Sequence, residues 1–330
     1  MTIPAFRLAT FNLESLGRVA GHATLDARSA ILRPQLERLD ADILCVQEVD
    51  GQKREGDPKG PRHLDALDAL LAGTPYADFF RVATVNDKGT GVRDRHNLVI
   101  LSRFPITGHE QVHHARVSPP LYEQAMAVPG GGPEPVMWDR PFLHATLDVG
   151  ADKPLHVFNL HLRAPRAAFV EGQKVDRHAW ASVPGWAEGF FLATVKSAGQ
   201  ALEVRLAVDA VMDDDDAARI VVCGDLNAGI RESAVRIVCG DEEDLGNGAL
   251  VPRLLVAAEE AVPETQRFSV RHGGRKVMAD HILLSRPLMG GFRGCEIHNE
   301  DLGDEFATPA VVRDAPESFH APVLARFGPA

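Results

Sequence analysis

Six apolar runs, each carrying a polar residue at or near one end, recur from the first strand-like segment of this chain to its last residues. They read LATFN, DILCVQE, LHVFNLH, RIVVCGDLN, MADHILLS and ESFHAPVLARF. Their polar positions are Asn12, Glu48, His161, Asp225 with Asn227, Asp280 and His320. Short apolar runs bounded by turn residues predict buried strands. The body of such a strand is buried, whereas a carboxylate, amide or imidazole at its end requires water, a partner or a ligand. Six ends gathered on one rim of a sheet would therefore form one hydrophilic site.

Helical spacing appears between the strands. Ile31, Leu32, Leu36 and Leu39 recur at three or four across residues 25–40, and Pro34 within that pattern predicts a late start or a kink. Leu64, Leu67, Leu70 and Leu71 predict a second helix that stops at Gly73. The longest signal covers 189–212, with Phe191, Val195, Ala198, Leu202 and Leu206 on one stripe, and Asp213 to Asp216 after it read as a solvated loop. Strand-turn-strand segments such as RPFLHATLDVGADKPLHVFNLHL are interleaved with these helices, which predicts mixed sheets. Residues 107–141 and 163–188 read as rim loops. The second holds Arg163, Arg166 and Arg177 beside Trp180 and Trp186, cations and aromatics suited to an anionic substrate.

Composition narrows the class. The polar strand ends span all 330 residues and must meet, which favours one domain over 1–330. With 45% apolar and 25% charged residues the chain has material for a core, and no uncharged stretch is long enough for a membrane span. MTIPAFRLATFNL enters the first strand with no basic segment or apolar leader, so the expected compartment is cytoplasmic. Four cysteines without close pairing are expected to be free thiols. The net charge of −11 leans away from nonspecific duplex binding, which draws on lysine and arginine, although a local basic patch can sit on an acidic protein.

TFNL at 10–13, DILCVQEV at 42–49, VILSRFPI at 99–106, NLHL at 159–162, VVCGDLNA at 221–228, ADHILLS at 279–285 and SFHAPV at 318–323 resemble, in order, the endonuclease/exonuclease/phosphatase family, the superfamily of DNase I. One such fragment arises easily by chance; the ordered set does not. The resemblance implies a four-layer α/β sandwich of two packed mixed β-sheets flanked by helices. It also implies a metal-dependent phosphoric-ester hydrolase in which water attacks in line.

The roles implied by the resemblance attach to particular residues. Glu48 holds the cation, one ion of Mg²⁺ or Mn²⁺, and Asn12 completes or supports its shell. Asp225 orients or deprotonates the water, and Asn227 holds Asp225 and the phosphate oxygens. His161 and His320 touch the phosphate, and Asp280 pairs with His320. The family usually ends in Ser-Asp-His, whereas this chain has Ser318-Phe319-His320, so the ion should rest on fewer carboxylates or recruit another ligand. Ala279-Asp280-His281 is an alternative source of that motif, although ILLS after it matches the penultimate strand. Arg95, Asn97 and Arg163 are candidate phosphate contacts, with a solvated turn as the alternative for the first two. The expected partner is a small or lipid-derived phosphate ester; a nucleic acid is possible but not favoured by charge. A nuclease with the same centre and a binding protein with a degenerate site are the competing readings.

Overall fold

Cys45 and Val46 are adjacent and fully buried, yet they belong to different cores, and this one-residue split organises the molecule. Successive side chains on a strand point to opposite faces, so a strand covered on both faces is apolar throughout. The computed structural model describes residues 3–18, 23–126, 132–176, 178–304 and 315–329. Its main strands form two six-stranded sheets.

In the first sheet the order is Phe292–Ile297, Val323–Phe327, Phe6–Leu16, Ile43–Val49, Asn97–Ser102 and Phe80–Ala83. In the second it is Leu255–Ala257, Asp280–Ser285, Arg219–Asp225, Leu155–His161, Phe142–Leu147 and Ile106–Val112. Each sheet has one parallel pair, Phe6–Leu16 with Ile43–Val49 and Leu155–His161 with Arg219–Asp225. All the other pairs are antiparallel, so both sheets are mixed.

Leu8, Cys45, Ile100, Val157, Cys223 and Ile282 form the layer between the sheets. Phe11, Leu44, Val46 and Leu101 face the other way, onto the helices Leu25–Leu39 and Asp65–Leu71. Phe158, Ile220, Val222 and Leu283 pack under Val183–Asp214 and Ser233–Cys239. The result is the four-layer α/β sandwich.

Several details differ from the sequence pattern. The first helix runs unbroken from Leu25 with Pro34 inside it, and Thr24 caps it by accepting from the Ala27 N–H at 3.3 Å. Burial of Leu32, Leu36 and Leu39 against the sheet outweighs the backbone bond that proline cannot make. The long helix begins earlier, at Val183, and its buried stripe is rotated by about one residue: Leu192, Val204 and Val208 face the core, while Phe191, Leu202 and Leu206 are exposed. Glu188, Gln200 and Glu203 on the buried stripe disguise it. Glu203 accepts from the backbone N–H of His114 and of Arg116 and from Trp138 Nε1. Glu188 accepts from Tyr122, Ala125 and Met126. These two carboxylates pin residues 114–126 and Trp138, part of the stretch expected to be a rim loop, whose described residues include the strand Ile106–Val112 and the pair Leu121–Tyr122 with Glu134–Pro135.

Asp213 and Asp214 end the long helix, and Asp215 pairs with Lys153 at 2.6 Å, so that acidic run is partly structural. Arg177 lies outside the described residues. Cys45, Cys223, Cys239 and Cys295 are free thiols. Among the described residues, no helix is long and apolar enough to cross a membrane.

Candidate active site

The inward face that is apolar at mid-sandwich becomes polar at one end. Continuing the alternation of Leu8, Cys45, Val157, Cys223 and Ile282 by two residues at a time reaches Asn12, Gln47, Asn159, His161, Asp225 and Asp280. Gln47 spans the sheets, donating to Thr10 Oγ1 at 3.0 Å and Asn159 Oδ1 at 2.7 Å, and Asn159 donates to the carbonyls of Val46 and Val99. This polar seam closes the core beneath the site.

On the second sheet the site is assembled by ladder register. Asp225 stands opposite His161 on one neighbouring strand and Asp280 on the other. Gly224 precedes Asp225 with φ +136°, and a β-carbon there would lie 2.1 Å from the Leu160 carbonyl oxygen, so the GDLN segment requires its glycine. Asn227, at φ +51°, turns back to donate from Nδ2 to Asp225 Oδ2 at 3.1 Å. Asp280 Oδ2 and His320 Nδ1 lie 2.9 Å apart, and His320 Nε2 is 4.0 Å from Asp225 Oδ2.

On the first sheet the site is assembled by irregularity. The pairing register shifts between Asn12 and Leu16 and again between Val46 and Val49, and Glu14, Ser15 and Glu48 all take positive φ. A strictly alternating strand would turn Glu48 away from the face of Gln47; the bulge turns it into the cleft instead. Arg28, itself buried, fixes the bulge by donating to the carbonyls of Leu13 and Glu14 at 2.7 and 2.8 Å. Glu48 Oε2 then accepts from Ser15 N at 3.1 Å and Ser15 Oγ at 3.2 Å. Its Oε1 lies 3.6 Å from His161 Nε2.

Together the two halves enclose a cleft of about 640 Å³ lined by Glu14, Glu48, His96, His161, Arg140, Arg163, Asp225, Asn227 and His320, among others. A model of the Endonuclease/Exonuclease/phosphatase family matches residues 9–304. The chain belongs to this family. Among solved structures, TDP2 from Caenorhabditis elegans is similar at 16% identity over 98% of each chain, with a TM-score of 0.56. An endonuclease/exonuclease/phosphatase from Beutenbergia cavernae aligns at 17% identity over 99% of this chain and 72% of that one, with a TM-score of 0.54. The 3′ phosphatase NExo from Neisseria, bound to a product DNA hairpin, aligns at 17% identity over 98% of this chain and 99% of that one, with a TM-score of 0.52. No curated protein sequence matches the chain.

Electrostatics separate the two halves of this family member's cleft. Burial pushes the Asp225 carboxyl up to about 7, and Asp280 adds to the rise, while His320 opposes it. Burial works against the His320 cation, but Asp280 and Asp225 outweigh it and hold the imidazole well above its ordinary value. His161 is pushed well below the ordinary range by burial and by Arg140. Burial also opposes ionisation of Glu48, yet the histidines around it hold its pKa well below the usual carboxylate range.

The geometry bears on two of the expected roles. Asn12 Oδ1 accepts from the Glu14 N–H at 2.8 Å, so its amide nitrogen faces Glu48 Oε1 at 3.3 Å and Asp225 Oδ2 at 3.0 Å. Asn12 therefore ties the two carboxylates together through its nitrogen. Asn97 is fully buried; its amide donates to the carbonyls of Val49 and Arg93, and its oxygen accepts from Thr84 and the Arg93 N–H. It is a framework residue with nothing left for a phosphate. Arg95 is exposed on a neighbouring groove, and Arg163 lines both groove and cleft with its guanidinium on Asp139 at 2.8 Å. His281 is turned away from the cleft, between Glu259 and the Ala228 carbonyl, and does not replace His320. Lys174 lies over the Trp180 ring at 4.1 Å.

The sequence patterns passed over His96, Glu14 and Arg140. His96 sits between Arg95 and Asn97, and Glu14 follows TFNL, so each lay beside a residue already singled out. Glu14 accepts from the Phe319 N–H at 2.8 Å, which brings a carboxylate beside the position that carries the family's aspartate.

Proposed function

We propose that this chain is a divalent-metal-dependent hydrolase of phosphoric esters. The observation that carries the reading is the convergence of Glu48, Asp225, His161 and His320 in one cleft lined also by Arg140 and Arg163, with Asp280 buried behind His320. The donor set suits a cation, with Glu48 ionised and facing the cleft, and a bound ion would neutralise charge on the phosphate oxygens. His320, kept cationic by Asp280, donates from Nε2 to a non-bridging oxygen. Asp225, steered by the amides of Asn12 and Asn227, accepts the proton of the attacking water. Arg140 supplies a further positive charge, with its guanidinium held by the Leu162 carbonyl at 3.1 Å.

A second reading, hydrolysis of a nucleic acid, is favoured by one feature that net charge concealed. A groove of about 400 Å³ that shares Arg140 and Arg163 with the cleft is lined by Arg93, Arg95, Arg140 and Arg163 together with Asp87, Asp94 and Asp139; Arg93 is paired with Asp87 and Arg163 with Asp139, so Arg95 and Arg140 are the cations it would offer to a further phosphate. The test is a panel of chromogenic mono- and diesters, plasmid DNA and single-stranded RNA, each with Mg²⁺, Mn²⁺ or EDTA. Activity on at least one substrate that EDTA and Glu48→Gln both abolish is expected. A Glu48→Gln variant as fast as wild type would overturn the metal assignment, and the preferred substrate decides between the two readings.

A further inference from the structure

The cleft holds two imidazoles on either side of one carboxylate. Glu48 Oε2 lies 3.4 Å from His96 Nδ1, and Glu48 Oε1 lies 3.6 Å from His161 Nε2. One donor atom from each of the three residues falls within 4.8 Å of both others. Donors about 2.1 Å from a shared cation stand roughly 3.0 to 3.4 Å apart, which the two contacts to Glu48, one to each of its oxygens, approach; the remaining separations, within 4.8 Å, close on one ion by side-chain rotation. His96 Nδ1 is buried and makes no hydrogen bond.

The backbone supports this placement. His96 takes φ +53° and Glu48 φ +57°, conformations disfavoured for residues with a β-carbon, and Asp50 Oδ1 holds the His96 N–H at 3.1 Å. The Asn12 amide oxygen accepts from the Glu14 N–H, which keeps its nitrogen turned toward Glu48.

We propose that Glu48, His96 and His161 form a mixed nitrogen-oxygen site that selects a borderline transition cation, of which Zn²⁺ is the probe, over Mg²⁺. Imidazole suits such ions, whereas Mg²⁺ demands an octahedron of oxygens. The assignment takes its location from the hydrolase reading, but its test uses binding alone, without substrate. Competing with it is an arrangement in which His161 serves only Asp225, 3.4 Å from its Nε2, and His96 serves only to position Glu48.

Protein stripped with EDTA is titrated calorimetrically with Zn²⁺ and separately with Mg²⁺. One Zn²⁺ per chain is expected, and because most nitrogen-containing sites prefer Zn²⁺, the deciding result comes from a variant. His96→Gln is expected to weaken Zn²⁺ by about tenfold or more while leaving Mg²⁺ within about twofold. Equal weakening of both ions, or of neither, overturns the proposal. X-ray absorption of Zn²⁺-loaded wild type needs no variant: two imidazole nitrogens at about 2.0 to 2.1 Å are expected, and a shell of oxygens alone overturns the proposal. If two imidazoles bind Zn²⁺ and no phosphate ester on the panel is cleaved by any loaded form, the site stands and the hydrolase reading falls.

Discussion

The two sheets deliver their functional residues by opposite means. On the second sheet, Asp225, His161 and Asp280 are aligned by regular pairing, and Asp225 is neighboured by both on adjacent strands. On the first sheet, Glu48 reaches the cleft through a bulge, with Glu14, Ser15 and His96 also in left-handed conformations. The chemical consequence follows the structural one. Ladder register packs carboxylates close together in a buried setting, which raises the affinity of Asp225 for a proton; the bulged side surrounds one carboxylate with histidines and backbone donors, which keeps Glu48 ionised. A group that must take a proton and a group that must hold a cation need those contrary environments.

The comparison breaks most severely if the proton acceptor is removed. Asp225→Asn should lower kcat by about 10³-fold or more on the best substrate, measured under single-turnover conditions. Its stability should move the other way. Because burial raises the Asp225 pKa, the folded state binds more protons than the unfolded one between roughly pH 4 and 7, and stability falls as pH rises through that window. The amide removes that penalty, so melting at pH 8 should match or exceed wild type.

Next in size is a test of the ladder itself. Gly224→Ala should cost about 3 kcal/mol, read from denaturant melts, because the new β-carbon meets the Leu160 carbonyl at a disfavoured φ. Asp280→Asn should reduce kcat by about tenfold and move the alkaline limb of the pH–rate profile to lower pH, since His320 loses the partner that keeps it cationic. The raised His320 also contributes stability that is full below about pH 6.5 and is lost as pH climbs through its folded value, so the variant's melting should vary less with pH across that range. A profile that superimposes on wild type would show that Asp280 does not tune His320. The smallest effect is expected on the bulged side. Ser15→Ala removes one of two Ser15 bonds to Glu48 and should cost about 1 kcal/mol, with the backbone N–H contact retained. A larger loss would mean that the bulge depends on that hydroxyl as well as on Arg28.

The legible parts of the site were those whose position follows from alternation. Asn12, His161, Asp225 and Asp280 sit two-residue steps above core positions, and Glu48 was found only because it ends an apolar run in the family's order. The helix Val183–Asp214 shows the limit of periodicity: its exposed Phe191, Leu202 and Leu206 look like a core stripe, while its true inner face carries Glu188, Gln200 and Glu203, whose partners lie 37 to 89 residues away. Asn97 reads the same way as the exposed Arg95 beside it until its four bonds are seen.

By itself the sequence determined the layers, because strands covered on both faces must be apolar and helices between them must be amphipathic, and it determined which polar residues end those strands. Only the tertiary structure decided what those residues face. The register shifts at Asn12–Leu16 and Val46–Val49, the buried guanidinium of Arg28 and the strand pairing across Asp225 depend on contacts between distant segments, and no local pattern encodes which way a bulged carboxylate turns. The orientation of the Asn12 amide was settled in the same way, by a backbone N–H two residues along the bulge that leaves only the nitrogen free to face the two acids.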